Sequence, residues 1–154
     1  MGRDLNANLK VLGAAALLHD VGRPQEEAKA VSHSILSGEM GRGVLSDNGF
    51  SDSEIDHVVD VIRTHRFSEG LEPNSLEGEI LSDVDKLDAM GAVGVFRAIA
   101  QAASTATGIE GFLRHAHEKL LKLKDLMHTE PAKNEAEHRH NALEAYVKQL
   151  ENEL

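Results

Sequence analysis

Apolar residues recur every three or four positions along most of the chain, which is the spacing of one face of an α-helix. The first stripe consists of Leu5, Leu9, Leu12, Ala16 and His19. We expect Gly22 and Pro24 to end this first helix. The same reasoning predicts further helices at about 26–47, 92–103, 110–127 and 131–152. The last of these is heavily charged and is expected to lie on the surface.

Two capping signals predict where the remaining two helices begin. Ser51 is followed three residues later by Glu54, the spacing of a capping box, and a helix with an apolar stripe follows. Asn74 with Glu77 has the same spacing and predicts a helix that runs through Met90. No segment alternates with period two, so no sheet is expected. The prediction is an all-α helical bundle in which residues 1–154 form a single domain.

Composition narrows the class of function. The chain has no cysteine, which excludes disulfides and thiolate metal sites, and no stretch approaches the length of a membrane span. Its 16 basic and 26 acidic residues give a formal net charge of −10, which disfavours general nucleic-acid binding. A cytoplasmic protein without a membrane partner is therefore expected.

The pair His19-Asp20 directly follows an apolar run of alanines and leucines. An ionised Asp at the end of a buried helix is costly unless it is paired or coordinated. An imidazole and a carboxylate together suit a divalent cation. A plain His–Asp hydrogen bond or a helix C-terminal contact explains the same two residues.

A second polar feature lies on an otherwise apolar helical stripe. Asp85 and Asp88 share this stripe with Leu81 and Val95, whereas Asp83 falls on another side, where it is solvated or caps a helix. Neighbouring buried carboxylates repel each other unless a cation or a proton neutralises them. Either coordination of a metal or pairing with an arginine would neutralise the charge of these carboxylates.

Histidines complete the set of candidates. His33 and His65 each lie on an apolar helical stripe, where a lone histidine is usually a satisfied core side chain. Together with His19, Asp20 and Asp85 they form a more specific constellation. We expect the other histidines to be exposed: His57, His115, His117, His128, His138 and His140.

Two segments carry a resemblance to a known family. The segment AALLHDVGRP at 15–24 resembles the signature of the HD-domain hydrolases, and VDKLDAMGA at 84–92 resembles the distal aspartate helix of that family. Downstream, 118–123 and the pairs at 129–130 and 139–140 resemble a branch of compact bacterial and archaeal HD hydrolases, some of which are nucleotide pyrophosphohydrolases. The dipeptide alone is weakly specific, but its combination with the aspartate segment is strongly specific.

The resemblance implies an HD-type bundle that binds a divalent metal, with Mn, Mg, Fe, Ni and Zn not distinguished. It assigns His19, Asp20 and Asp85 as metal ligands. It assigns His33 and His65 to a second metal or to substrate phosphate. The candidates for phosphate contacts are Arg23, Arg66 and Lys86.

The implied activity is hydrolysis of a phosphate ester or anhydride, in a nucleotide, by a metal-activated water. Candidate general acids or bases are Glu39, Glu69 and Asp88. Asp88 is favoured because it shares the stripe of Asp85, although it serves equally well as an orienter of a metal ligand. Asp20 is the other carboxylate assigned to catalysis.

One departure from the family pattern opens an alternative. The family carries a further metal-binding histidine on a helix before the His-Asp helix, but only 18 residues precede His19 here, and none is a histidine. We therefore expect an N-terminally shortened domain. The alternative function is a non-catalytic or weakly active module that binds metal or nucleotide. Apolar surface left uncovered by the absent helix predicts a homodimer or higher oligomer.

Overall fold

The computed structural model describes residues 1–154, and all of its regular elements are helices. The helices are α1 (Leu9–Leu18), α2 (Arg23–Lys29), α3 (His33–Asp47), α4 (Asp52–Thr64), α5 (Leu76–Met90), α6 (Ala92–Ser104), α7 (Gly108–Glu118) and α8 (Glu130–Asn152), with short 3-10 segments at Phe67–Glu69 and Leu120–Leu126. The predicted all-α class is confirmed. The chain divides into two compact units, 1–82 and 83–154. No helix is both long and apolar enough to cross a membrane.

Helix α4 forms the centre of the first unit and packs against α1 and α3. The buried core consists of Val11, Ala15, Leu45, Ile55, Val58, Val61, Ile62 and Leu81. The predicted capping box is present, because Ser51 Oγ accepts from the Glu54 N–H at 3.4 Å and Glu54 accepts from the Ser51 N–H at 2.8 Å. A strongly amphipathic pattern and a local cap therefore determine α4 together.

The predicted register of the first helix is wrong. Asn8 Oδ1 accepts from the N–H groups of Lys10 and Val11, so α1 begins at Leu9 and Leu5 lies outside it. The buried positions are Val11 and Ala15, one turn apart, whereas Leu9 and Ala16 of the predicted stripe are exposed. Because the predicted stripe begins at Leu5, it follows the exposed face of α1 instead of the buried one.

The single helix predicted at about 26–47 is two helices, α2 and α3. Ala30 adopts a left-handed conformation with φ 52°, which ends α2. Ser32 then accepts from the Ser34 N–H and caps α3. Pro24 does not close the first helix but lies in the first turn of α2, where its missing N–H costs nothing.

The capping box predicted at Asn74 and Glu77 is also wrong. Ser75 Oγ accepts from the Gly78 N–H at 3.2 Å. Glu77 is buried and accepts from the Asn8 N–H at 2.6 Å, with His57 Nε2 at 3.3 Å from its other oxygen. The Glu77 carboxylate therefore holds the start of α1, and α1 ends directly before His19.

The second unit packs α6, α7, the segment Leu120–Leu126 and α8. The helix predicted at 110–127 ends at Glu118 and continues as the 3-10 segment, which buries Leu120 and Leu123. The expectation that the last helix lies on the surface is wrong in part, because its other face is buried: Ala132, Ala136, His140, Leu143 and Val147. These small and apolar residues recur at helical spacing between the charged residues. The prediction relied on the number of charges and therefore overlooked the buried face.

Candidate metal centre

Three side chains of the first unit converge on one point. Asp20 lies in the turn after α1, His33 is the first residue of α3, and His65 follows the last residue of α4. One ligand atom from each lies within 4.8 Å of the others. The two imidazoles are each only 1% exposed, whereas Asp20 is half-buried at the edge. The site therefore joins three helix ends that are far apart in sequence.

Acceptors on the far side of the two rings set their orientation. Glu26 Oε2 lies 2.9 Å from His33 Nδ1, and the backbone carbonyl of Ile62 lies 2.5 Å from His65 Nδ1. A carboxylate and a carbonyl can only accept, so each Nδ1 carries the proton. In the neutral form of each ring, Nε2 is then the unprotonated nitrogen, which is the one able to bind a metal.

His19 lies beside this cluster. Its Nδ1 is 2.9 Å from the carbonyl of Ala16, and its Nε2 is 3.9 Å from Asp20 Oδ2. Its ring meets the ring of His65 edge-on, with 5.1 Å between the centroids. The structure thus brings His33 and His65, predicted for a second metal or phosphate, together with Asp20, and His19 Nε2 lies beside the same carboxylate at the border of the cluster.

Arg23 pairs with the carboxylate of Asp20 through both of its oxygens. Nε lies 3.0 Å from Oδ2 and Nη2 lies 3.0 Å from Oδ1. Burial alone would raise the pKa of Asp20, but the Arg23 guanidinium, with His19 and His33 nearby, lowers it below its ordinary value. Asp20 is therefore an ionised oxygen donor at neutral pH.

A network of carboxylates and hydroxyls lies behind His33. Arg66 donates to Glu26 and, at 3.3 Å, to Ser32 Oγ, and lies 3.7 Å from Glu69. Ser34 Oγ lies 2.9 Å from each oxygen of Glu69, and Ser32 also donates to Glu69. These contacts hold Arg66, predicted for phosphate, against protein carboxylates.

Both carboxylates of this network have a lowered pKa. The hydrogen bond from His33, aided by that from Arg66, lowers the pKa of Glu26 to about 2. Burial would raise the pKa of Glu69, but its hydrogen bonds from Ser32 and Ser34 lower it overall. Sequence reasoning missed Glu26, Ser32 and Ser34. The one local signal was Ser32, a capping residue type, which would also have revealed the helix break.

The turn that carries Asp20 packs closely against α3 at Gly22. A Cβ at this position would lie 2.6 Å from Leu36 Cβ and 2.7 Å from Ser37 N. The Gly22 N–H donates to Ser37 Oγ at 2.9 Å, which fixes the contact. Glycine is thus needed for Asp20 and His33 to share a site.

Comparisons with known proteins agree with this geometry. A sequence profile of the HD domain matches residues 1–90, which contain the whole cluster. The chain belongs to the HD-domain family. The predicted family resemblance is therefore confirmed.

Individual relatives of this HD-domain chain cover nearly its full length. YpgQ of Bacillus subtilis, an uncharacterized protein, is 34% identical over 165 aligned positions that span 100% of this chain and 77% of the relative. Its crystal structure in complex with ADP matches with a TM-score of 0.80 and 32% identity, covering 99% of this chain and 78% of that chain. A predicted HD superfamily hydrolase from an uncultured Thermotogales bacterium matches with a TM-score of 0.71 and 32% identity, covering 99% and 72%.

The donor set of this HD domain fits a divalent metal. Two imidazole nitrogens suit divalent cations such as Zn, Fe and Ni, and a carboxylate oxygen also suits Mn and Mg. Ligands about 2.1 Å from a shared ion lie roughly 3–4 Å apart. The three ligand atoms here lie within 4.8 Å of one another. His33 Nε2 lies 3.2 Å from Asp20 Oδ1, and Arg23 Nη2 lies 3.5 Å from the same nitrogen.

Three further predicted site residues, Asp85, Asp88 and Lys86, lie in the second unit. Asp85 is partly buried on α5, and its role as a metal ligand stays a prediction. Asp88 is exposed and forms an ion pair with Arg97. In this structure its charge is therefore balanced by an arginine, which is one of the two alternatives that the sequence left open. Lys86 is 4% exposed, which leaves its ammonium little access to a substrate.

Three further expectations concern carboxylates and histidines. Asp83 is fully buried and accepts three hydrogen bonds from His128 and Thr129, the two residues before α8, so the solvated alternative is wrong. His140 is buried rather than exposed, because it faces the core side of α8. His57 is only half-exposed, since it pairs with Glu77.

Proposed function

We propose that this HD-domain chain hydrolyses a phosphate ester or anhydride of a nucleotide, with a divalent metal held by Asp20, His33 and His65. The observation that carries the proposal is the convergence of these three side chains within 4.8 Å. Family membership supports the hydrolase class. The ADP complex of YpgQ, a relative of similar fold, supports a nucleotide as substrate.

The two buried rings of His33 and His65 provide donors that cannot rotate away. Their Nδ1 atoms are tied to Glu26 and to the Ile62 carbonyl. A metal bound here would lower the pKa of a coordinated water and polarise a phosphoryl oxygen. Asp85 is proposed as an additional carboxylate donor, and His19 as a further imidazole at the border.

Arg23 is the better placed of the two arginines for substrate phosphate. Its side chain is 56% exposed and pairs with Asp20 at the edge of the cluster, whereas the side chain of Arg66 is 32% exposed and is held by Glu26, Ser32 and Glu69. A planar guanidinium matches phosphate oxygens in pairs. We assign Arg23 to bind the substrate and to stabilise negative charge on the reacting phosphoryl group.

A reconstitution experiment tests the proposal. Metal-stripped protein is loaded with Mn, Mg, Zn, Fe or Ni in turn and incubated with nucleoside mono-, di- and triphosphates. Separate detection of phosphate and pyrophosphate identifies the bond that is cleaved. We expect turnover that needs a metal and that His33→Ala and His65→Ala abolish.

The matched control is His115→Ala, an exposed histidine of α7 outside the cluster. This variant should retain full turnover and metal content. Nucleotide binding without turnover under every metal would favour the binding-module alternative. Turnover that survives both cluster variants would contradict the proposed site.

A further inference from the structure

We infer that Glu26 is a positioning residue, which fixes the tautomer and direction of His33 and joins the two imidazole-bearing segments of the site. This inference rests on the proposed metal site. Glu26 touches neither Asp20 nor the point of convergence in any contact of the structure. It acts through His33, at the far side of the ring.

Both oxygens of Glu26 contact His33. Oε2 lies 2.9 Å from the ring Nδ1, and Oε1 accepts from the backbone N–H of the same residue at 3.3 Å. The left-handed residue Ala30 turns the chain between α2 and α3, which allows Glu26 to reach back to the start of α3. One carboxylate therefore restrains the main chain and the ring of His33 together.

The same carboxylate reaches the segment of the second imidazole. Glu26 Oε1 also accepts from Arg66, the residue that follows His65. Arg66 contacts Ser32, the cap of α3, at 3.3 Å, which closes the connection. Glu26 thus holds the end of α4 and the start of α3 in register, so that Nε2 of both histidines faces the same point.

The chemical consequence follows from proton placement. An ionised carboxylate can only accept a hydrogen bond, so it holds the proton of neutral His33 on Nδ1. The lone pair is then on Nε2, 3.2 Å from Asp20 Oδ1. The negative charge also raises the basicity of the ring as a metal ligand. Without Glu26 both tautomers of His33 become accessible, and only one of them has its free nitrogen in the site.

The test compares Glu26→Ala, Glu26→Gln and Glu26→Asp with the control Glu27→Gln, an exposed residue of the same helix. Mn affinity is measured by titration under electron paramagnetic resonance. The His33 tautomer is measured in metal-free protein from ring nitrogen shifts over a pH series, at the pH values where those shifts report a neutral ring. Thermal unfolding establishes that each variant is folded.

We expect Glu26→Ala and Glu26→Gln to weaken Mn binding roughly 10- to 100-fold, with Glu26→Asp weakened less and Glu27→Gln unchanged. His33 should carry its proton on Nδ1 in the wild type and should lose this preference in Glu26→Ala. Unchanged Mn affinity and an unchanged tautomer in folded Glu26→Ala would overturn the inference. If the wild type binds no Mn, the titration is repeated by calorimetry with Mg, Zn, Fe and Ni. Absence of binding for all of these metals would contradict the proposed function, and the tautomer in the metal-free proteins would still decide the role of Glu26.

Discussion

His33 Nε2 lies 3.2 Å from Asp20 Oδ1, although α2 and two turns separate the two residues along the chain. The contact depends on the packing of the Asp20 turn against α3, not on either side chain alone. Gly22 permits that packing because a side chain there would collide with Leu36 and Ser37.

Gly22→Ala should weaken metal binding without removing any ligand. The added Cβ would lie 2.6 Å from Leu36 Cβ, so the turn must shift away from α3. Overpacking of this kind costs about 1–3 kcal/mol, and the shift also separates Asp20 from His33. Isothermal titration and urea unfolding measure both effects.

Gly43→Ala is the matched control for this substitution. Gly43 lies within α3, and nothing lies within 4 Å of the Cβ that alanine would add. Alanine is favoured in a helix interior, so this variant should be stabilised by about 0.5–1 kcal/mol with unchanged metal affinity. Equal metal affinities for Gly22→Ala and Gly43→Ala would contradict the packing argument.

The variants Asp85→Asn and Asp88→Asn should distinguish two predicted roles. Asp85 is predicted to be a metal ligand, and Asp88 is predicted to be a general acid or base. As a ligand, Asp85 should lose metal affinity and turnover together while helicity is retained. As the predicted general acid or base, Asp88 should lose turnover roughly 10²- to 10⁴-fold with metal affinity intact. Circular dichroism, metal titration and steady-state kinetics measure these quantities.

Arg97→Gln serves as the control for Asp88, because it breaks the same ion pair without touching the carboxylate. Full turnover in Asp88→Asn would leave Asp88 as the surface partner of Arg97. Unfolding of Asp85→Asn would make Asp85 a structural residue rather than a ligand.

Sequence reasoning succeeded where the signal is local. The stripe of α4 and the box of Ser51 and Glu54 lie within a few residues of one another, and the same stripe carries His65 into the core. The break at Ala30 gave no such signal, because a left-handed alanine is imposed by the surrounding packing.

Contacts of long range could not be predicted from spacing. Arg66 meets Glu26 forty positions away, and Glu77 meets Asn8 across 69 positions. Each pair consists of residue types that are usually solvated, so neither stood out in the sequence. The convergence of Asp20 with His33 and His65 likewise depends on how three helix ends pack.

Asp83→Ala should destabilise the protein by roughly 2–4 kcal/mol. This buried carboxylate accepts at 2.8 Å from the N–H groups of His128 and Thr129 and from the Thr129 hydroxyl, directly before α8. Alanine leaves these donors without a charged acceptor. Urea unfolding measures the loss, and exposed Asp125→Ala should change stability by less than about 0.5 kcal/mol. Equal stabilities would show that water replaces the carboxylate.

Acid should weaken the attachment of α1 to α4 through Glu54. The hydrogen bond from Lys10, followed by that from the Ser51 N–H, lowers the pKa of Glu54 from 4.5 to about 2. Because the folded-state pKa is depressed, this stabilisation is complete above pH 4.5 and is lost as the pH falls toward 2. In Glu54→Gln the contribution is absent throughout. The urea midpoints of the two proteins should therefore differ at neutral pH and converge in acid, and a constant difference would contradict the assignment.

Phe96→Glu should reduce self-association. Val93, Phe96 and Ala100 form an exposed apolar stripe on α6, and Phe96 alone is 70% exposed. Exposed apolar patches promote association, and the sequence predicts a homodimer or higher oligomer. A glutamate at the centre of the stripe adds a charge whose burial in an interface is costly. Sedimentation velocity should show a larger species for the wild type and a monomer for Phe96→Glu, whereas Leu17→Glu, on an exposed position of α1, should behave as the wild type. A wild type that is monomeric at micromolar concentration would contradict the predicted oligomer. If Leu17→Glu rather than Phe96→Glu yields the monomer, the interface lies on α1 instead of α6.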